Sequence, residues 1–368
     1  MCRLAQSVEC SLCNRLHYVS IEVIQCQCNQ NRQVGLLATI YDVARLAKVS
    51  PATVSRVFNG LGASQAKIDA VRKAAEELRF TPNRSARSLR RQESEILALV
   101  IPDIENPYFT EVARGVEDVA QESGYSVMLC NTDSDLEKEA KYLQVALEQR
   151  MAGVIIAAVG EGTELDGILG AGMKLVSVDR VIPYDVDAVV MANVSAGERA
   201  TEDLVDAGFK RIACITGPAD LDTASERVTG WEVVMRKHFP NLDLEPLVYY
   251  GDFGVEDGRR ATQALLELPE PPDAIVACNN LMGVGAIQVL NERDLTPPKV
   301  GVAVLGTLPF TTLSPNVITV VRLPGQQMGR TAARMLLERI EGDTQAPRTV
   351  VLRSDVRSAQ RSGENGHD

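Results

Sequence analysis

Two rhythms of apolar and polar positions divide the chain. Between Thr39 and Leu78 apolar residues recur every three or four positions, the spacing of one helical face. Ile40, Val43, Ala44 and Ala47 form the first face; Thr39 stands before it as an N-cap, with Asp42 near the positive end of the helix. Lys48-Val49-Ser50 breaks the pattern. Ser50 and Pro51 then start a second short helix to Phe58, with Val54, Val57 and Phe58 inward. After the loop Gly60–Ala63, Ser64 caps a third helix whose inward positions are Ile68, Val71, Ala75 and Leu78. Two short helices joined by a tight turn and completed by a third make a helix-turn-helix module, whose second helix fits a major groove. The same pattern also suits a small three-helix bundle with a solvated basic face.

From Glu95 short apolar runs alternate with amphipathic stretches. Ile96–Ile101, Tyr125–Cys130, Gly153–Ala157, Lys174–Val178, Arg211–Thr216, Leu247–Tyr250, Ala274–Ala277 and Val300–Leu305 read as strands. Pro107–Ser123, Leu136–Gln149, Ala196–Ala207, Ala224–His238, Val255–Leu268, Leu281–Glu292 and Gln326–Glu341 read as helices. This alternation predicts parallel sheets with helices on both faces. The series looks doubled about residue 193, so two lobes are expected, with a cleft at the carboxyl ends of the strands. The predicted layout is an extension over 1–37, a helix-turn-helix domain over 38–81, a hinge over 82–94, a two-lobed body over 95–357 and a polar tail over 358–368. The chain is expected to cross between lobes near 193 and 322.

Charge sharpens this division. The 368 residues carry a formal net charge of -11, which at first argues against a nucleic-acid partner. Residues 38–92, however, hold eleven Lys and Arg against four Asp and Glu, a local +7, while residues 1–37 sum to +1 and the rest to -19. A basic block on an acidic body suggests a nucleic-acid module joined to a domain that must stay off nucleic acid. The longest apolar runs are far short of a membrane span.

Five of the eight cysteines, Cys2, Cys10, Cys13, Cys26 and Cys28, fall in the first 28 residues. One CxxC and one CxC with His17 are a weak match to a four-ligand zinc site, and no metal is assigned. The extension has no signal-peptide layout and is expected to be a dispensable tail or a misassigned start. Cys130, Cys214 and Cys278 sit in apolar contexts, as small buried hydrophobes of a reducing compartment do. There is no phosphate-loop or nucleophile-elbow motif, and His17, His238 and His367 suit no cleft chemistry. No enzyme, catalytic residue or cofactor is expected.

The stretch Thr39-Ile40-Tyr41-Asp42-Val43-Ala44-x-x-Ala47-x-Val49-Ser50-x-x-Thr53-Val54-Ser55-Arg56-Val57-x-Asn59 resembles the opening signature of the lactose-repressor (LacI/GalR) family of bacterial transcription regulators. Phe80-x-Pro82-Asn83-x-x-Ala86-x-x-Leu89 resembles its hinge segment. The body resembles the family's effector domain, itself similar to periplasmic sugar-binding proteins; its markers include Ile101-Pro102-Asp103-Ile104-x-Asn106-Pro107-Tyr108-Phe109, Val178-Asp179-Arg180, Arg227-x-x-Gly230 and Met328-Gly329. The resemblance implies an α-helical DNA-binding domain followed by an α/β body of two doubly wound parallel sheets. It implies a cytoplasmic homodimeric repressor on a pseudo-palindromic double-stranded operator, controlled by a small-molecule effector such as a sugar. A solute-binding protein, or a ligand-independent regulator with a degenerate cleft, is the alternative.

By resemblance, Pro51, Ala52 and Arg56 would face base edges, and only Arg56 could make a strong polar contact. Tyr41, Thr53, Ser55 and Asn59 would contact or position phosphates. Asn83 would open a hinge helix, and Leu89 would wedge into a minor-groove base step. Asn106, Tyr108, Phe109, Asp179, Arg180, Thr223, Arg227, Phe253 and Asn280 would line the effector cleft. Tyr108 and Phe109 could instead be helix-start packing, Asp179 and Arg180 a structural ion pair, and Phe253 strand-end core. Two departures matter: Asn279-Asn280 stands where the family usually has Asn-Asp, and Gly306-Thr307-Leu308-Pro309 replaces a carboxylate-bearing loop. Fewer carboxylates would favour an anionic or less polar effector meeting Arg227. Without a leucine heptad at the C-terminus, a dimer is expected rather than a tetramer.

Overall fold

The computed structural model describes residues 38–58, 62–80, 94–308 and 317–359. The chain divides into two compact units, Met1–Asn83 and Arg84–Asp368.

In the first unit, α1 (Ile40–Leu46), α2 (Pro51–Phe58) and α3 (Gln65–Glu77) close on a small core of Val43, Ala44, Val54, Val71, Ala74 and Ala75. The Asp42 carboxylate accepts from the Thr39 amide at 3.0 Å and its hydroxyl at 2.6 Å, satisfying the first turn of α1. Those hydrogen bonds, the hydroxyl's first, hold the Asp42 carboxyl below its ordinary value. Lys48 turns the chain at φ +53°, and the Ser50 hydroxyl accepts from the Thr53 amide at 3.2 Å to start α2. Phe58 and Phe80 close the core with ring centroids 5.8 Å apart. Ile68, expected inward, is only half-buried, and Ala74 fills the core beside Val71 and Ala75.

The second unit holds two six-stranded sheets. Its elements run β1 (Ile96–Ile101), α4 (Pro107–Glu122), β2 (Ser126–Asn131), α5 (Leu136–Glu148), β3 (Gly153–Ile156), α6 (Asp166–Gly170), β4 (Lys174–Asp179) and β5 (Asp187–Met191). Then come α7 (Asn193–Asp206), β6 (Ile212–Thr216), α8 (Asp222–His238), β7 (Val248–Tyr250), α9 (Val255–Leu266), β8 (Ala274–Ala277), α10 (Asn280–Glu292), β9 (Gly301–Leu305) and β10 (Thr319–Arg322). The described chain ends with α11 (Gly325–Ile340), β11 (Thr349–Leu352) and β12 (Asp355–Arg357). The first sheet has the order β11-β5-β4-β3-β1-β2 and the second β12-β10-β9-β8-β6-β7. All pairings are parallel except β10 with β12. The central strands β3, β6, β8 and β9 are buried along their whole length, as helices on both faces require.

The eight expected strands all form, with ends shifted by at most a residue. β5, β10, β11 and β12 lie outside that expectation, and so does a third crossing between lobes. The chain passes over after β5, back after β10, and over again after β11. β5 is disguised by Asp187 at its start. That carboxylate is buried because Arg339 of α11 clasps both its oxygens, at 2.7 and 2.9 Å, and the Arg348 amide adds a bond at 2.9 Å. β11 is an edge strand with two exposed residues, and β12 has only three residues.

The helices α7 and α8 cross at two glycines. A Cβ on Gly197 would lie 2.2 Å from the Arg227 carbonyl oxygen, and one on Gly230 2.1 Å from that of Val194. This close approach brings Arg227 of α8 against Asn193, the first residue of α7.

Candidate functional site

On the first unit, α2 exposes Ala52 and Arg56, while Pro51, Thr53 and Ser55 are half-buried. Tyr41 on α1 is 65% exposed. The Thr53 hydroxyl shares a 2.9 Å hydrogen bond with that of Ser50, so it already serves the helix start. Asn59, Asn83 and Leu89 lie outside the described residues, as do the cysteines of the extension.

On the second unit a cavity of about 360 Å³ opens between the two lobes, in the size range of small-molecule sites. Asn106, Tyr108, Phe109, Asp179, Arg180, Thr223, Arg227, Phe253 and Asn280 all line it. The first four and Arg180 come from the first lobe, the rest from the second.

Asn106 caps α4, its side-chain oxygen accepting from the Tyr108 amide at 3.0 Å. Tyr108 and Phe109 are largely core: they meet edge to face at 5.1 Å within the first-lobe cluster. The Tyr108 hydroxyl donates to Met328 Sδ at 3.0 Å, and burial, aided by Asp179, pushes its phenol well above the ordinary value. It is a neutral donor already in use. Asp179 ends β4 at φ +69°, with Oδ2 3.9 Å from Arg180 Nε; Oδ1 is buried without a partner. Arg180 Nη1 donates to the carbonyls of Ala158 and of Val159, the latter at 2.7 Å, while burial lowers its guanidinium against the opposing pull of Asp179.

The second-lobe wall is built around Arg227, which is 4% exposed. Its Nε donates to Asn193 Oδ1 at 2.9 Å and its Nη1 to the Cys278 carbonyl at 2.7 Å. Asn279 caps α10, accepting from the Met282 amide at 2.7 Å, and donates to the Phe253 carbonyl at 2.7 Å. That bond supports Phe253 at φ +63°, with its ring over Gly217, where a Cβ would stand 2.1 Å from it. Asn280 is buried; its Oδ1 accepts from the Leu281 amide at 2.9 Å, and its Nδ2 has no partner. Gly306, at φ +111°, lets the β9 end approach Asn280. Across the lobes the Thr307 hydroxyl donates to Glu111 at 3.2 Å.

Three supporting residues escaped the sequence pattern. Asn193 and the Cys278 backbone seat Arg227. Glu139 accepts from Thr163 Oγ1 at 2.6 Å and the Val159 amide at 2.8 Å, fixing the loop on which Arg180 rests. A glutamate in a helix and an asparagine after a strand carry no periodic signal, so only their partners reveal them. Among the described residues no group of three or more His, Cys, Asp and Glu is placed to hold a metal, and no helix is long and apolar enough to cross a membrane.

Comparison with known proteins places these features in context. The family described as "Bacterial regulatory proteins, lacI family" matches residues 39–83. "Periplasmic binding proteins and sugar binding domain of LacI family" matches residues 94–360. The ribose operon repressor of Halalkalibacterium halodurans is 33% identical over 338 residues, covering 89% of this chain and 99% of that protein. The HTH-type transcriptional repressor PurR of Aliivibrio fischeri is 32% identical over 330 residues, 87% and 97% of the two chains. The transcriptional regulator CelR, solved as a cellobiose complex, superposes with a TM-score of 0.65 at 31% identity, covering 87% of this chain and 98% of its own.

Proposed function

The chain belongs to the lacI family of bacterial regulatory proteins, and we propose on that footing that it represses transcription by gripping operator DNA as a homodimer until a small polar effector resets the grip. Its relatives are transcriptional regulators rather than enzymes. The helix-turn-helix unit reads the operator through α2. Arg56, the exposed cation of that helix, is assigned to a base edge, with Tyr41 and Ser55 on the backbone. Two copies read a pseudo-palindrome, because a two-fold dimer presents two equivalent helices. The edge strand β2, with Leu129 39% exposed, is the apolar sheet edge assigned to the partner subunit.

One observation carries the effector reading. Asp179 Oδ1 on one lobe and Asn280 Nδ2 on the other are buried without protein partners, on residues lining one cavity. Buried polar groups cost free energy unless paired, so a ligand bridging the lobes would satisfy both and favour a closed arrangement. The differential affinity for closed and open states would then set operator affinity.

Fluorescence anisotropy with labelled operator DNA from the chain's own promoter region tests the proposal. Specific binding in the nanomolar range is expected, weakening steeply as salt rises. Sequence-indifferent binding at low salt would overturn it.

A further inference from the structure

Buried charge and hydrogen-bonding capacity are distributed unevenly over the cleft. Arg180 has a carboxylate beside it, that of Asp179. Arg227 is equally deep, yet both its bonds go to neutral oxygens, those of Asn193 and the Cys278 backbone. Among the described residues those bonds come from Nε and Nη1, and none comes from the second terminal nitrogen, Nη2. A buried cation without a counter-ion is a strained arrangement that a bound anion would relieve.

The neighbouring side chain points the same way. The Leu281 amide donates to Asn280 Oδ1, which fixes the amide's orientation and leaves Nδ2 as a buried donor without a partner. Asn279 is spent on Met282 and Phe253. The remaining acid of this wall, Asp252, is exposed to solvent, where water screens it. The buried part of the second-lobe wall therefore offers donors, one of them charged, and no carboxylate. A carboxylate ligand, acceptor-only and with two oxygens, matches that set. The first-lobe wall differs in holding a carboxylate: Asp179 Oδ1 is a buried acceptor awaiting a donor such as a hydroxyl, beside Arg180, whose Nε is likewise buried without a partner.

We propose that the effector is a polyhydroxy carboxylic acid, a sugar acid rather than a neutral sugar. Its carboxylate pairs with Arg227 and Asn280, and a hydroxyl at its far end donates to Asp179. This rests on the cleft being the effector site. A neutral sugar would leave the Arg227 charge uncompensated.

The test uses the full chain and matched pairs of probes: gluconate and glucose, ribonate and ribose, galactonate and galactose, glycerate and glycerol. Calorimetry reads binding, and anisotropy with operator DNA reads the response. At least one acid is expected to bind and shift operator affinity, with its neutral partner about tenfold or more weaker. Asn280→Asp keeps the acceptor for the Leu281 amide but places a negative charge beside the bound carboxylate. It should weaken the acid about tenfold or more and narrow or reverse the preference for the acid over its neutral partner. Arg227→Gln should likewise abolish the preference for the acid, with circular dichroism confirming the fold of both variants. A neutral sugar binding as tightly as its acid overturns the proposal and leaves the cleft reading standing. So does a chain that binds operator but none of the acids. An acid whose binding is indifferent to both substitutions sits elsewhere, and the cleft reading itself then fails.

Discussion

Replacing Gly230 with alanine is expected to destabilise the second unit and loosen the seat of Arg227. The new methyl carbon would stand 2.1 Å from the Val194 carbonyl oxygen and 2.7 Å from the Glu198 amide, where real Cβ contacts stay above 3.0 Å. Both obstacles are backbone, so no side chain can swing aside, and α7 and α8 must part by roughly 1 Å. Overpacking of this kind costs about 1–3 kcal/mol. With both obstacles in the backbone the upper part of that range, about 2–3 kcal/mol, applies; alanine in a helix recovers at most about 1 kcal/mol relative to glycine, which leaves a net loss of at least about 1–2 kcal/mol. For a domain of this size that lowers Tm by roughly 2–8 °C. Gly170→Ala is the control. It is also helical, but nothing stands within 4 Å of its Cβ position, so it should stabilise slightly. Because Arg227 lies one turn before Gly230 and reaches Asn193 on the opposing helix at 2.9 Å, the effector response should weaken as well. Thermal unfolding of the two variants side by side decides. A Gly230→Ala melting point at or above wild type would refute the close helix contact.

Other expectations follow from single residues. Arg56→Ala should relax base preference at one position per half-site by about 1–3 kcal/mol, read against a panel of operator variants; an unchanged preference would remove Arg56 from the base edge. Asp187→Ala should cost about 1–3 kcal/mol in urea unfolding, because it removes both bonds from Arg339 and that from the Arg348 amide, leaving Arg339 with the carbonyls of Asp343, Gln345 and Ala346; a loss within error of zero would contradict the clasp. In the native chain burial alone would raise the Asp187 carboxyl, but Arg339 and the Arg348 amide outweigh it and hold it below 3.8. Its contribution is therefore present above that value and lost as pH falls through the lower native one, so acid unfolding should flatten in Asp187→Asn. Cys130, Cys214 and Cys278 are buried, and burial pushes the Cys130 thiol up to about 11. Differential alkylation read by mass spectrometry should leave all three unlabelled until denaturant is added.

Much of the fold is written in local patterns. The caps at Thr39 and Ser50 and the apolar spacing through Val54 and Val71 define the helix-turn-helix unit without distant contacts. Six of the eight apolar runs become inner strands, because a strand covered on both faces must be apolar throughout, while β2 and β7 take sheet edges. Of the strands that escaped, β11 and β12 are edge strands, β5 begins with a charge, and β10 is only four residues long and ends on one, Arg322. Asp187 reads as a loop residue until Arg339, 152 positions away, neutralises it.

The cleft divides along the same line. The family resemblance marked nine positions, from Asn106 to Asn280, and the structure lines one cavity with all of them. What those side chains still have to offer was decided only by tertiary partners. Met328, 220 positions from Tyr108, takes up its hydroxyl; Asn193 and Cys278 take two of the nitrogens of Arg227; and Asp179 Oδ1 and Asn280 Nδ2 are left with nothing. Sequence determines where polar groups stand along the chain, because helix and strand periods are local. Which of them remain unsatisfied depends on hydrogen bonds between distant segments, and that remainder is what a ligand meets.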